Sequence, residues 1–197
     1  MNWLAHLWLA DRSRTSAAGQ LLGDEIKGRI DPATSSLGQT VANGIVIHRR
    51  IDRLADDHPL HRDLRGLFAG GHRRYAGIVV DIGLDHALAC TWRSFNDEPL
   101  AAFAARLCAQ LIHEWPTAAL GRDAPARADF ERLLTGYSNA SGMKRALAHV
   151  EQRLRRPADL VPLAETVVTQ RARFERAIGP VLDDLLSAIE QLPPDPA

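Results

Sequence analysis

The segment Gly44-Ile45-Val46-Ile47-His48-Arg49-Arg50-Ile51-Asp52 carries an imidazole and a carboxylate inside an otherwise apolar run. On a helix, His48 and Asp52 are four residues apart and share one face. Ile45, His48, Ile51, Asp52 and Ala55 then form a single stripe. A core stripe is ordinarily aliphatic, and a His or Asp placed there costs desolvation unless a metal, a proton or a partner charge offsets it. The same pattern recurs with His6 among Trp3, Leu4, Leu7 and Trp8, and with Asp24 after Leu21-Leu22. It recurs again with Asp81, Asp85 and His86 in the apolar stretch from Arg73 to Trp92. Beyond Trp92 the histidines are His113 and His149, both among solvated neighbours. A His/Asp set gathered from several helices is how an all-α bundle builds a divalent-metal site. Mixed imidazole and carboxylate ligands suit Mn²⁺, Fe²⁺, Zn²⁺ or Mg²⁺, and the ligand types alone do not choose among them.

Arginines cluster around the same segment. Arg49, Arg50, Arg53, Arg62, Arg65, Arg73 and Arg74 are set against Asp52, Asp56, Asp57 and Asp63. Guanidinium groups beside a metal point to a phosphate-bearing substrate, because they bind phosphate through paired donors. For Arg53, Arg62 and Arg65 a plain solvated helix face is the competing reading. The sequence contains no Ser/His/Asp nucleophile elbow, no P-loop and no Gly-rich dinucleotide fingerprint.

The elements that must position these residues read as helices throughout. Asn2 can cap a first helix, and Leu21 to Ile26 reads as a second that stops at Gly28. Asp31 to Gly38 is a loop rich in Ser, Thr and Pro. A long helix follows over roughly 39–57, ended by His58-Pro59. A short one is expected near 60–69, stopping at Gly70-Gly71, and another within Arg73–Trp92. Asn96-Asp97-Glu98-Pro99 opens a helix that runs to Trp115. Residues 117–127 read as a loop. Phe130 to Tyr137 suggests a helix, broken by Ser138–Gly142, with Met143 to Leu154 as the next. A long pattern runs from Pro157 to about Leu192, with a kink expected at Gly179-Pro180, and Pro193-Pro194-Asp195-Pro196 forms a tail. The absence of strand alternation predicts an all-α bundle of eight or nine helices in a single domain over 1–197.

The 197 residues are enough to bury a sizeable core, and 46% of them are hydrophobic. Lysine plus arginine balances aspartate plus glutamate at 24 each, which argues against nucleic acid or a membrane surface as the partner. Cys90 and Cys108 lie in apolar helical contexts and read as buried free thiols in a reducing compartment. The opening residues show no signal-peptide pattern and no span long enough to cross a bilayer, so the expected location is cytoplasmic.

Four blocks, in this order, resemble the acyl carrier protein phosphodiesterase family: Met1-Asn2-Trp3-Leu4-Ala5-His6-Leu7, Gly19-Gln20-Leu21-Leu22-Gly23-Asp24, Gly44 to Asp52, and Asp81 with Asp85-His86 and Trp92. The resemblance implies a cytoplasmic, HD-domain-like helical protein of the metal-dependent phosphohydrolase type, with Mn²⁺ as the favoured cation and Mg²⁺ or Fe²⁺ as others. It implies removal of 4′-phosphopantetheine from holo-acyl carrier protein to give the apo form. One departure is Trp8, which stands where the family often has a second histidine. On this reading the metal ligands are Asp24, His48 and Asp81, joined by His6 and Asp85. Asp52 and His86 orient ligands or move protons, and Arg49 meets charge at the phosphate. Arg50, Arg62, Arg65 and Arg74 receive the acidic carrier protein. Two alternatives stay open: a phosphohydrolase of the same type acting on a nucleotide or other small phosphodiester, and a non-catalytic helical interaction module.

Overall fold

The computed structural model describes residues 1–154, 156 and 158–191, and among these it contains helices and no strands. The all-α expectation therefore holds, with eleven α-helices among the described residues rather than eight or nine. They are α1 (Trp3–Ser13), α2 (Ala17–Leu22), α3 (Gln39–Asp57), α4 (Pro59–Arg65), α5 (Ala76–Cys90) and α6 (Leu100–Glu114). After them come α7 (Thr117–Leu120), α8 (Arg127–Gly136), α9 (Ala140–Glu151), α10 (Ala164–Thr169) and α11 (Arg171–Glu190). The excess comes from short pieces: α7 lies in the stretch expected to be loop, and α10 is split from α11 at Gln170. The expected break at Ser138–Gly142 is shorter than that, because Asn139 caps α9 by accepting from the Gly142 N–H. Helix α11 continues through Pro180. The expected starting point at Pro157, the end at Leu192 and the Pro193–Pro196 tail fall outside the described residues.

The buried residues, from Met1 in α1's approach to Ile189 in α11, form one cluster. Helix α1 runs through its middle, with Leu4 to Ala10 all buried, and packs on α2, α5 and α11. Two close approaches set how α2 and α3 meet. A Cβ on Gly19 would lie 2.5 Å from the Val41 carbonyl oxygen and 2.6 Å from Gly44 Cα, so the backbones touch there and only glycine fits. The N-terminus of α2 is fixed from α6: the Ser16 hydroxyl and the Ala18 N–H both donate to Glu114, at 2.7 and 3.0 Å. These contacts satisfy orphan donors that a six-residue helix cannot satisfy alone.

The second expected helix stops at Leu22, well short of Gly28. At Gly23 the chain passes against the His48 ring, where a Cβ would fall 2.1 Å from it. The chain turns at that point and carries Asp24 round to the same ring.

Cys90 and Cys108 are both free thiols, as expected, but only Cys108 is buried and Cys90 is partly exposed. No described helix is long and apolar enough to cross a membrane.

Candidate metal centre

His6 from α1 and His48 from α3 are buried and stack, with ring centroids 4.1 Å apart and planes 24° from parallel. Asp52, one turn beyond His48, answers both. Its Oδ1 lies 3.0 Å from His6 Nε2 and its Oδ2 lies 3.0 Å from His48 Nε2. Asp24 Oδ1 approaches His48 Nε2 from the far side at 3.4 Å, with its side chain 63% exposed. The ligand atoms of His6, His48 and Asp52 all lie within 4.8 Å of one another, the spacing of groups that could share one cation.

The tautomers follow from the neighbours. Gln20 is buried on α2, and its Oε1 is 2.9 Å from His6 Nδ1. An amide oxygen only accepts, so His6 Nδ1 carries the hydrogen and Nε2 presents a lone pair toward Asp52. Burial lowers the His6 pKa, and the charge on His48 lowers it further. A neutral His6 therefore sets a lone pair toward Asp52 Oδ1 at 3.0 Å, and the Met1 amino group, 3.2 Å from the same oxygen, is the positive charge that oxygen meets. His48 faces two carboxylates through Nε2, while its buried Nδ1 has no partner. Burial disfavours its charged form, but the hydrogen bonds to Asp24 and Asp52 outweigh that and hold its pKa at about 9. Asp52 goes the other way: burial would raise it, and the hydrogen bond from His48, with the Met1 amino group beside it, holds it far below the ordinary carboxylate range. Asp24 is likewise lowered, its hydrogen bond from His48 overcoming burial. Two imidazole nitrogens and two carboxylates are a donor set for Mn²⁺, Fe²⁺ or Zn²⁺, and a poorer one for Mg²⁺, which prefers oxygen alone.

A second His/Asp pair adjoins this group. Asp81 Oδ1 on α5 lies 2.8 Å from Nε2 of the buried His61 on α4. The Met1 nitrogen sits between the two pairs, 3.2 Å from Asp52 Oδ1 and 3.2 Å from Asp81 Oδ1. Burial raises the Asp81 pKa, but the Met1 amino group and His61 together bring it below its ordinary value.

Other expected site residues lie elsewhere. Asp85 is fully buried, and its two oxygens accept from the Leu4 and Ala5 N–H groups at 2.8 and 3.0 Å. It caps α1 from α5, with both oxygens taken. Burial pushes its pKa up to about 7, against the pull of those two N–H groups. His86 bonds the Tyr137 carbonyl through Nδ1 at 2.7 Å and lies beside Cys90 Sγ, on a part of α5 that meets the α8–α9 link. Arg49 donates to the Ile26 and Gly28 carbonyls at 2.6 and 2.7 Å, so it ties the loop after Asp24 to α3. Arg62 pairs with Asp57, Arg65 with Asp56, and Arg74 lies over the Tyr75 ring. Arg50 is exposed. Trp8 is a packing residue, buried edge-on against Phe95.

Sequence reasoning passed over Gln20 and His61. Gln20 stands between Ala17-Ala18-Gly19 and Leu21-Leu22, a polar side chain on an apolar helix. His61, Leu64 and Phe68 follow i, i+3, i+7 spacing, and all three are buried. Both signals were in the sequence.

A family model described as acyl carrier protein phosphodiesterase matches residues 1–185. A protein named acyl carrier protein phosphodiesterase from Serratia proteamaculans (strain 568) is 38% identical over 117 residues, 59% of this chain and 59% of that one. A protein of the same name from Salmonella dublin is 42% identical over 112 residues, 56% of each chain. Another from Photorhabdus laumondii is 42% identical over 92 residues, 47% of this chain and 45% of its own. These matches thus span about half the length of the relatives. No solved structure matches the chain. The family match covers the His6, Gln20, His48 and Asp52 group and nearly all of the helices that hold it, and on it the chain belongs to the acyl carrier protein phosphodiesterase family.

Proposed function

We propose that the protein is a divalent-metal phosphodiesterase that releases 4′-phosphopantetheine from holo-acyl carrier protein and leaves the apo form. The observation that carries this is the His6–His48–Asp52 group, two imidazoles and a carboxylate whose ligand atoms all lie within 4.8 Å of one another. The relatives' names supply the substrate.

His6 and His48 through Nε2, and Asp52 through both oxygens, would hold the metal, with Asp24 adding a carboxylate at the exposed side. Mn²⁺ is the proposed ion. When bound, a divalent cation here supplies Lewis acidity toward a phosphoryl oxygen and acidifies water. The chain's own residues do the rest. Gln20 fixes the His6 tautomer and keeps its ring in place. Gly23 leaves room for the His48 ring. Arg49 holds the loop that presents Asp24. In the reaction the oxygen of water joins phosphorus, the bond from phosphorus to the carrier protein's serine oxygen breaks, and that oxygen takes up a proton. Asp24 is the group nearest solvent that can accept the proton from water. We place the enzyme in the cytoplasm, where its carrier-protein substrate would be.

The test is mass spectrometry of holo-acyl carrier protein incubated with the metal-stripped protein, with and without added Mn²⁺. The expected result is conversion to the apo mass only with metal. Intact holo-protein under both conditions would rule the reading out.

A further inference from the structure

Among the described residues, the exposed face of α9 and the segment after it carries Lys144, Arg145, His149, Arg153 and Arg156. Among the described residues, none of the five side chains pairs with an acid. The acid of that helix, Glu151, turns away and accepts from the Leu160 and Val161 N–H groups. The arginines nearer the metal group divide. Arg62, Arg65 and Arg49 have partners in Asp57, Asp56 and the loop carbonyls, while Arg50, Arg53, Arg73 and Arg74 are exposed and, among the described residues, without an acid partner. What sets the α9 face apart is the groove that runs beside its positive charge.

A groove of about 220 Å³ lies between α8 and α9, with Leu133 and Ala146 among its apolar lining and Arg145 and His149 among its polar lining. Gly142 keeps the helices close, since a Cβ there would meet the Gly136 carbonyl oxygen at 1.9 Å. A second depression continues it along His149, Val150 and Arg153 to Asn2 and Trp3. Trp3 is half-buried there, its ring 5.6 Å from Phe130 and 6.4 Å from His149. Two residues back, the Met1 nitrogen is 3.2 Å from Asp52. Two residues of chain span at most about 7 Å. The basic face and the metal group are thus joined by the stretch Met1–Trp3.

We infer that the α8–α9 face, rather than the arginines of residues 49–74, is where the acidic protein portion of the substrate docks. The inference rests on the proposed carrier-protein substrate. Complementary charge would bring the partner to α9, the groove would receive an apolar side chain at the contact, and the phosphodiester would lie toward Trp3 and Asp52.

The test compares two charge-reversed proteins, each checked by melting temperature. One is Lys144→Glu/Arg145→Glu/Arg153→Glu and the other is Arg53→Glu/Arg73→Glu/Arg74→Glu. KM and kcat are measured on holo-acyl carrier protein with Mn²⁺ at low salt. The α9 variant should raise KM about tenfold or more with kcat within about twofold, the signature of lost uniform binding. The second variant should raise KM by less than about threefold, as expected of rim charges outside the contact. A milder Arg145→Gln/Arg153→Gln protein should show the same direction if the triple reversal folds poorly. An unmoved KM in both α9 variants, with wild-type conversion to the apo form intact, would overturn the docking site and leave the proposed function standing. A wild-type protein that makes no apo product removes both.

Discussion

Helix α1 receives two carboxylates from two different helices, Asp52 half-buried and Asp85 fully buried. Asp52 reaches it from α3 and meets the His6 ring, and Asp85 reaches it from α5 and meets the Leu4 and Ala5 N–H groups. The two residues are alike in type and in sequence setting, an aspartate in an apolar helical run. Their partners separate them. The N–H groups at the start of a helix are complete donors and satisfy a carboxylate. Two imidazole Nε2 atoms converging on one carboxylate form instead a set of ligand atoms close enough to share a cation. The lesson is that burial of an acid says little about its use until the far ends of its hydrogen bonds are known.

The largest expected effect falls on the Asp52 side. Asp52→Ala or His48→Ala should bring Mn²⁺ binding and turnover to background while the far-ultraviolet circular dichroism stays helical. Retention of stoichiometric metal by either variant, read by calorimetry, would remove the contrast with Asp85. The Asp85 side should respond in stability instead. Asp85→Ala leaves two N–H groups without acceptors in the core, at a cost of about 3 kcal/mol. For a chain of this size that is a fall of about 6–12 °C in Tm. The remaining folded protein should still bind metal.

Between these lies Gln20. Gln20→Leu removes the acceptor that fixes His6 and should weaken Mn²⁺ binding about 10–100-fold, the usual scale for a group that orients a ligand. Wild-type affinity in that variant would mean that the His6 ring needs no such hold.

The two sides should also separate by pH. The native state keeps a proton on Asp85 up to about 7, whereas an unfolded aspartate loses it near 3.8. The native protein thus binds more protons across that window, and its stability falls as pH rises through it. His48 keeps its proton to about 9 in the absence of metal, against 6.5 unfolded. Its contribution is fully present below 6.5 and is lost as pH rises through about 9. Denaturant melts of the metal-free protein should show both declines; Asp85→Asn should erase the lower one and His48→Gln the upper one. Since metal must displace the His48 proton, Mn²⁺ affinity should rise with pH below about 9, by up to about tenfold per unit. The smallest effect is expected at His86. His86→Gln should leave the pH–rate profile in place, because that ring bonds the Tyr137 carbonyl and none of His6, His48 or Asp52.

Much of this protein is written locally. The bounds of α3 and the loop before it follow from Pro59, Gly38 and the apolar period, because helix starts and stops are set within a turn of the residues that cause them. His48 and Asp52 were visible as a pair, since i, i+4 spacing is a property of any helix. The order of the motifs sufficed for the family resemblance. The tertiary structure alone decided that Asp52 meets the His6 ring while Asp85 caps a backbone, because both outcomes need α1 and the sequence does not say how α1 is turned. It also decided the place of Gln20, which reaches His6 only because Gly19 and Gly44 let α2 and α3 touch. The arginines make the same point: those of residues 49–74 looked free as a charge run, and it is the fold that gives Arg62 and Arg65 their aspartates and Arg49 its loop carbonyls. A sequence lists charges, but which of them remain available depends on what the packed helices bring within a hydrogen bond's length.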